Sequence, residues 1–297
     1  MKVPHEAATH VACWMAWPHL AHEWDDLAAA QSEIAAFIQM IAETEPVHLL
    51  VHPEVEPPHL NATFVRVAYG DAWTRDSFPI FGSDRALSFR FDGWGGKYPM
   101  PGDEDLSTRM AEHVELPTER FDYVLEGGSV EPDGEGVILT TSTCLLARGA
   151  DLSTWETRLK RAFDAERVVF LEGALENDHT DGHIDTLARF VEPGHVVCMK
   201  DVLGLESQLR DAGFTVSTIP APSVVHNPDG SIAAASYCNY YLANGQILVP
   251  AYGVPEDEPA RLALAALFPG RRARSVPARH IISGGGALHC ITQQQPA

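Results

Sequence analysis

The chain has 297 residues, 45% apolar and 8% aromatic, so it can bury a sizeable core as one large domain or two ordinary ones, and no stretch approaches the roughly 18 to 20 consecutive apolar residues of a membrane-spanning helix. Its formal net charge of −20 argues against nucleic acid or an anionic membrane as partner and favours cations, although solubility or adaptation to salt also accounts for it. Met1-Lys-Val-Pro-His-Glu6 lacks the apolar run of a signal peptide, which makes a cytoplasmic protein the expectation. Five cysteines, Cys13, Cys144, Cys198, Cys238 and Cys290, show no CxxC spacing, and an odd number in a chain this long argues against a disulfide framework.

A strand-like run over 12–17 comes first. A helix over about 24–43 follows, with Leu27, Ile34, Ile38 and Ile41 on one face, and then a strand over 47–51. Strand pairs are predicted at 77–81 with 86–91 and, after a weak helix over about 103–113, at 128–131 with 137–141 across Pro-Asp-Gly-Glu-Gly. Ser153-Thr-Trp-Glu156 has the pattern of a capping box and opens a third helix, which leads to a strand over 168–171. The pair 183–191 with 195–200 precedes a helix over about 202–212 that stops at Gly213. The pair 236–242 with 246–250 precedes a helix that starts at Pro259 and ends before Pro269-Gly270.

Each pair begins near a residue with chemistry to offer. Asp76, Glu126, His183, Asn239 and Cys290 stand 50, 57, 56 and 51 residues apart, a near-constant period that implies one repeated unit. The last unit has only 287–292 after its glycines, so the run over 12–17 would complete it and close a ring. The expectation is an α/β fold, a single domain over 1–297 built as a five-bladed α/β propeller of ββαβ units, with the five markers converging on the central axis.

Cys290 lies behind Ser283-Gly-Gly-Gly286 and is a candidate nucleophile. A guanidinium carbon is a poor electrophile, because three nitrogens share its charge; attacking it requires carboxylates to hold the planar fork, a soft nucleophile and a proton for the departing nitrogen. Gly182-His183-Ile-Asp185 supplies an acid/base and a carboxylate two residues apart, which on a strand would share a face. A salt-bridged surface pair is the plain alternative for His183 and Asp185. Zinc bound by Cys290, His183 and a carboxylate is a third, although no ligand-spacing motif is present. His289, adjacent to Cys290, is expected on the opposite face in a structural role.

The chain resembles the agmatine deiminase family of the guanidino-group-modifying, or pentein, superfamily. The resemblance rests on Trp14-Met-Ala-Trp-Pro18, Asp71-Ala-Trp-Thr-Arg-Asp76, Trp94-Gly-Gly-Lys-Tyr98, Glu126-Gly-Gly-Ser129, Gly182-His-Ile-Asp185, Ser236-Tyr-Cys-Asn239, Gly284-Gly-Gly286 and His289-Cys-Ile-Thr-Gln-Gln294, in the family's order over nearly the whole chain. It implies a five-bladed α/β propeller and the hydrolysis of agmatine to N-carbamoylputrescine and ammonia, a polyamine-forming reaction, without metal or organic cofactor. By the same resemblance Cys290 is the nucleophile, His183 the acid/base, Asp76 and Asp185 the guanidinium-binding carboxylates, and Glu126 the acid beside the histidine. Asp71, Trp73, Trp94, His179, Asn239, Gly285 and Gly286 are the residues expected around the substrate.

Two departures bear on the substrate's tail. Gly286-Ala287-Leu288 lacks the asparagine that often precedes the family's Ile-His-Cys, and His179 stands where a glutamate able to meet the distal amine is usual. Free arginine, peptidyl arginine or another guanidino compound is therefore the alternative substrate, and a non-catalytic binding propeller the alternative class. The expected partner is a small cationic guanidino compound. A homodimer is the default assembly, with no segment that specifies it.

Overall fold

The computed structural model describes residues 2–297; Met1, at the head of the amino-terminal segment read above, lies outside them. The chain opens with β1 (His10–Ala16), α1 (Leu27–Ile41), β2 (Val47–Val51) and β3 (Thr63–Arg66). Four units on one plan follow. The first is β4 (Ile80–Phe81), β5 (Ala86–Arg90), α2 (Leu106–His113) and β6 (Thr118–Val124). The second is β7 (Val130–Pro132), β8 (Val137–Thr141), α3 (Leu152–Phe163) and β9 (Arg167–Leu171). The third is β10 (Ala188–Glu192), β11 (His195–Met199), α4 (Leu205–Asp211) and β12 (Thr215–Ile219). The fourth is β13 (Tyr241–Ala243), β14 (Gln246–Ala251), α5 (Asp257–Leu267) and β15 (Arg272–Pro277), after which the chain reaches β16 (Gln293–Pro296).

In each unit the first strand runs antiparallel to the second, and the helix carries the chain back so that the third pairs parallel to it. Parallel neighbours need such a crossover. The fifth sheet, ordered β16-β1-β2-β3, is assembled from both ends of the sequence. β1 runs antiparallel to β16, with Trp14 opposite Gln293, and parallel to β2. The Trp14 indole donates to Gln295 Oε1 at 2.9 Å across that seam. The five sheets form the ring anticipated from the repeat, and the first strands lie innermost, β16 against β4 and β7 against β10.

Helices close the outside through single apolar faces. α1 buries Ala30, Ile34, Phe37, Ile38 and Ile41, a 3.6-residue pattern, and starts where Asp26 Oδ1 accepts from Ala29 N at 3.0 Å. α3 buries Trp155, Leu159, Ala162 and Phe163. Full burial of such side chains contributes about 1.5 to 3 kcal/mol each. The capping box at Ser153 is corrected: the helix begins at Leu152, and Asp151 is the cap, its Oδ1 accepting from Thr154 N at 2.8 Å.

The predicted strand starts are corrected too. Ser77, Gly128, His183 and Ser236 precede strands that begin at Ile80, Val130, Ala188 and Tyr241. The intervening residues form tight turns, and those turns carry the polar markers.

Candidate active site

All five markers occupy the equivalent place, the turn just upstream of an innermost strand. Asp76 lies in the helical turn Thr74–Ser77, Glu126 caps the turn Gly127–Ser129, and His183 caps the turn Ile184–Thr186, which contains Asp185. Asn239 precedes β13, and Cys290 precedes β16. His183 and Asp185 therefore converge through a 3-10 turn, not through strand alternation. The same correction applies to His289: its Nδ1 and the Cys290 sulfur approach the same oxygen, Asp185 Oδ2, at 2.7 and 3.8 Å, because residues 289–290 are in a turn.

The nucleophile candidate is fixed from several sides. Asn239 Nδ2 donates to Cys290 Sγ at 3.1 Å, while its Oδ1 accepts from the amides of His289 and Cys290 at 3.0 and 3.3 Å. Arg75 N donates to the Cys290 carbonyl at 3.2 Å and Arg75 Nε to the His289 carbonyl at 3.3 Å. Asp76 accepts from Gly128 N on Oδ1 and from the Trp94 indole on Oδ2, both at 2.9 Å. Glycine is required here for approach: a Cβ on Gly128 would stand 2.5 Å from His183 Nδ1, and one on Gly286 only 2.8 Å from Cys290 Cβ.

His183 Nδ1 lies 3.7 Å from Asp76 Oδ1, and its Nε2 lies 4.0 Å from Glu126 Oε2. Glu126 Oε1 accepts from buried Arg148 Nε at 2.6 Å, and Arg148 Nη1 continues to Asp181 at 2.8 Å. Lys97, in the Trp94 loop, meets the other oxygen of Asp181 at 2.7 Å. Among the described residues, Glu126, Cys144 and His183 offer ligand atoms within 4.8 Å of one another, so Cys144, not Cys290, stands in the position the zinc reading needs. The Arg148 cation on Glu126 opposes a metal there.

Burial alone would keep His183 neutral, but Asp76 foremost, with Cys144 and Glu126, outweighs it and holds the imidazole well above its ordinary range. Burial pushes the Cys290 thiol well up, and the carboxylates of Asp185 and Asp76 push it further. Asp185 stays below the usual carboxylate range: burial opposes this, but His289, His183 and Arg189 prevail. Its Oδ1 is buried with no hydrogen-bond partner among the described residues.

A cavity of about 110 Å³ leads to Cys290 and Asp76 between the rings of Trp73 and Trp94. Trp73 is backed by Trp24, stacked at 5.4 Å. Glu23, Asp71, His179, Thr180 and Ser283 are further polar walls, Gly285 and Gly286 line it, and among the described residues no lysine or arginine does. Asp71 receives the Trp24 indole on both oxygens at 3.1 Å, and burial raises its carboxyl to about 7. His179 stacks on Tyr98 at 5.1 Å, and burial lowers its pKa. Asn239 is not part of the cavity wall; it braces Cys290. Glu23 and Arg148 escaped the sequence reading, since an acid beside a tryptophan and an arginine after a short helix carry no motif.

The family model of Porphyromonas-type peptidyl-arginine deiminase matches residues 2–296. The agmatine deiminase of Stutzerimonas stutzeri is 33% identical over 352 residues, spanning 99% of this chain and 95% of that protein. Among solved structures, the agmatine deiminase of Enterococcus faecalis, described as catalyzing its reaction, matches at a TM-score of 0.89 with 26% identity over 99% of this chain and 95% of that one. A cysteine-to-serine variant of the C. jejuni agmatine deiminase with substrate bound matches at 0.90 with 26% identity, over 100% and 96% of the two chains.

Proposed function

The chain belongs to the Porphyromonas-type peptidyl-arginine deiminase family, in which its relatives include agmatine deiminases, and from that membership we propose that it hydrolyses the guanidino group of agmatine to N-carbamoylputrescine and ammonia. Residues 1–297 act as one domain. The observation that carries the reading is the meeting of Cys290 Sγ with Asp185 at 3.8 Å, at the end of a cavity walled by Cys290 itself and by Asp76.

Asp76 and Asp185 hold the guanidinium fork through charge-assisted hydrogen bonds. The unpartnered Asp185 Oδ1 is an acceptor ready for one of its N–H groups. The bound cation lowers the cost of ionising Cys290, whose proton passes to solvent and whose sulfur then forms a bond to the guanidinium carbon. His183 delivers its proton as the C–N bond breaks, ammonia leaves, and a cationic amidino-thioether remains. His183, now neutral, takes a proton from water, the hydroxide adds to the same carbon, and the C–S bond breaks to give the ureido product and the free thiol. Glu126, neutralised by Arg148, supports the imidazolium in both halves.

Agmatine is favoured over arginine because Glu23 and Asp71 share the cavity and, among the described residues, no lysine or arginine lines it to meet a carboxylate. A space of about 110 Å³ suits a small unbranched compound better than a peptide segment. The product lies on a route to putrescine, and the reaction belongs to the cytoplasm. Ammonia release across agmatine, arginine, methylated arginines, guanidinobutyrate and a peptidyl arginine tests the reading. Preference for agmatine supports it; equal or better use of arginine overturns the substrate, and no turnover of any member overturns the enzyme.

A further inference from the structure

Beneath the nucleophile lies a chain of buried charge that the reaction as described does not use. Glu6, in the segment before β1, is 5% exposed although it carries a carboxylate. Its Oε2 faces His289 Nε2 at 2.8 Å and receives Arg189 Nη2, and its Oε1 accepts from Leu242 N at 2.9 Å. His289 Nδ1 faces Asp185 Oδ2 at 2.7 Å. Arg189 is held in turn by Glu131 at 2.9 Å and by the carbonyls of Cys238 and Tyr240 at 3.3 and 3.1 Å.

Burial opposes ionisation of Glu6, yet Arg189 and His289 hold it well below the usual carboxylate range, and Asp185 is depressed as well. Each ring nitrogen of His289 thus stands within hydrogen-bond distance of a carboxylate oxygen, Asp185 Oδ2 on one side and Glu6 Oε2 on the other. Glu6 thereby holds one edge of a ring whose other edge meets Asp185. The ring, by occupying Asp185 Oδ2, sets the plane of the carboxylate and leaves Oδ1 for a ligand.

Resting on the agmatine deiminase reading of the site, we propose that Glu6 and His289 are positioning residues, the amino-terminal segment acting through the His289 ring to set Asp185 against the Cys290 thiol. Neither touches the substrate. A guanidinium cradle displaced by about 1 Å loses on the order of 100-fold in rate.

The test uses the full chain with Glu6→Gln, Glu6→Asp and His289→Gln. Expected for Glu6→Gln is a fall in kcat/KM for agmatine of about 100-fold, borne by kcat as well as KM, with partial recovery in Glu6→Asp. A second readout isolates the cradle from global stability: the ratio of Cys290 alkylation rates by chloroacetamidine, a cation shaped like the reacting group, and by neutral iodoacetamide. That ratio should drop about tenfold in Glu6→Gln and His289→Gln, with neutral alkylation unchanged. If Glu6→Gln does not fold, because Arg189 is left unpaired, His289→Gln keeps the Glu6–Arg189 pair and carries the test alone. Folded variants with a wild-type ratio and wild-type kcat/KM overturn the inference. Absence of turnover in the wild type overturns the enzymatic reading instead, and the two failures are thus separate.

Discussion

Trp94 and Asp76 are bound to one another. The indole Nε1 donates to Asp76 Oδ2 at 2.9 Å while Gly128 N holds Oδ1, so a loop residue fixes a carboxylate that shares a cavity with Cys290. Trp94 itself has positive φ, 57°, and is buried against Phe91 at 5.0 Å. Removing the donor leaves a buried carboxylate short of one charge-assisted bond, a loss of about 1.5 to 3 kcal/mol. Trp94→Phe should therefore lower kcat/KM for agmatine by roughly 10- to 100-fold and also lower the melting temperature. Steady-state kinetics beside a thermal melt checks this, and a variant with wild-type kcat/KM refutes it.

Burial, foremost, and the carboxylates of Asp185 and Asp76 raise the Cys290 thiol well above its ordinary range, which favours its protonated form in the free protein. A guanidinium placed at those carboxylates reverses the local field. Thiolate absorbance followed against pH, with Cys290→Ser as blank, should show ionisation only above the ordinary thiol range, and an unreactive guanidinium analogue should shift it downward. An unshifted curve would mean that the protein alone activates the sulfur.

His183 titrates above its unfolded value of 6.5, so the protonated ring stabilises the fold. The sign follows from linkage: the contribution is complete below 6.5 and disappears as pH rises through the higher folded value. Urea unfolding of wild type and His183→Gln should give a stability gap that is widest below 6.5 and narrows as pH rises above that value. A gap independent of pH contradicts the assignment.

Under the proposed function, Asp71 should make substrate affinity depend on pH. Burial raises its carboxyl to about 7, and an ammonium tail would bind the ionised form. The KM for agmatine should fall several-fold as pH rises through about 7, and the slope should vanish in Asp71→Asn. Glu23→Gln should raise that KM roughly two- to fivefold while leaving kcat alone, as loss of a partly exposed ion pair does. A slope retained in Asp71→Asn assigns the titration elsewhere.

The ring was legible because its period survives in Asp76, Glu126, His183, Asn239 and Cys290, which recur at one place in the repeat. Their local conformation was not, since a polar residue just before a strand and one in its first position leave the same pattern. Partners across the axis were also hidden. Glu6 and His289 are separated by 283 residues and Glu126 and Arg148 by 22, and neither pair has a spacing rule. Glu6 reads as an exposed acid near a terminus until the ring brings Arg189 beside it.

The seam between β1 and β16 gives assembly a direction. Trp14 meets Gln295 across 281 residues, and Cys290 sits just ahead of the strand that makes this pairing. Contacts so distant along the chain form late, after the loops between them have closed. Four sheets can thus be in place while the Cys290 sulfur, on which the proposed reaction depends, is still unpositioned. Closing the seam and setting that thiol in its place are one event.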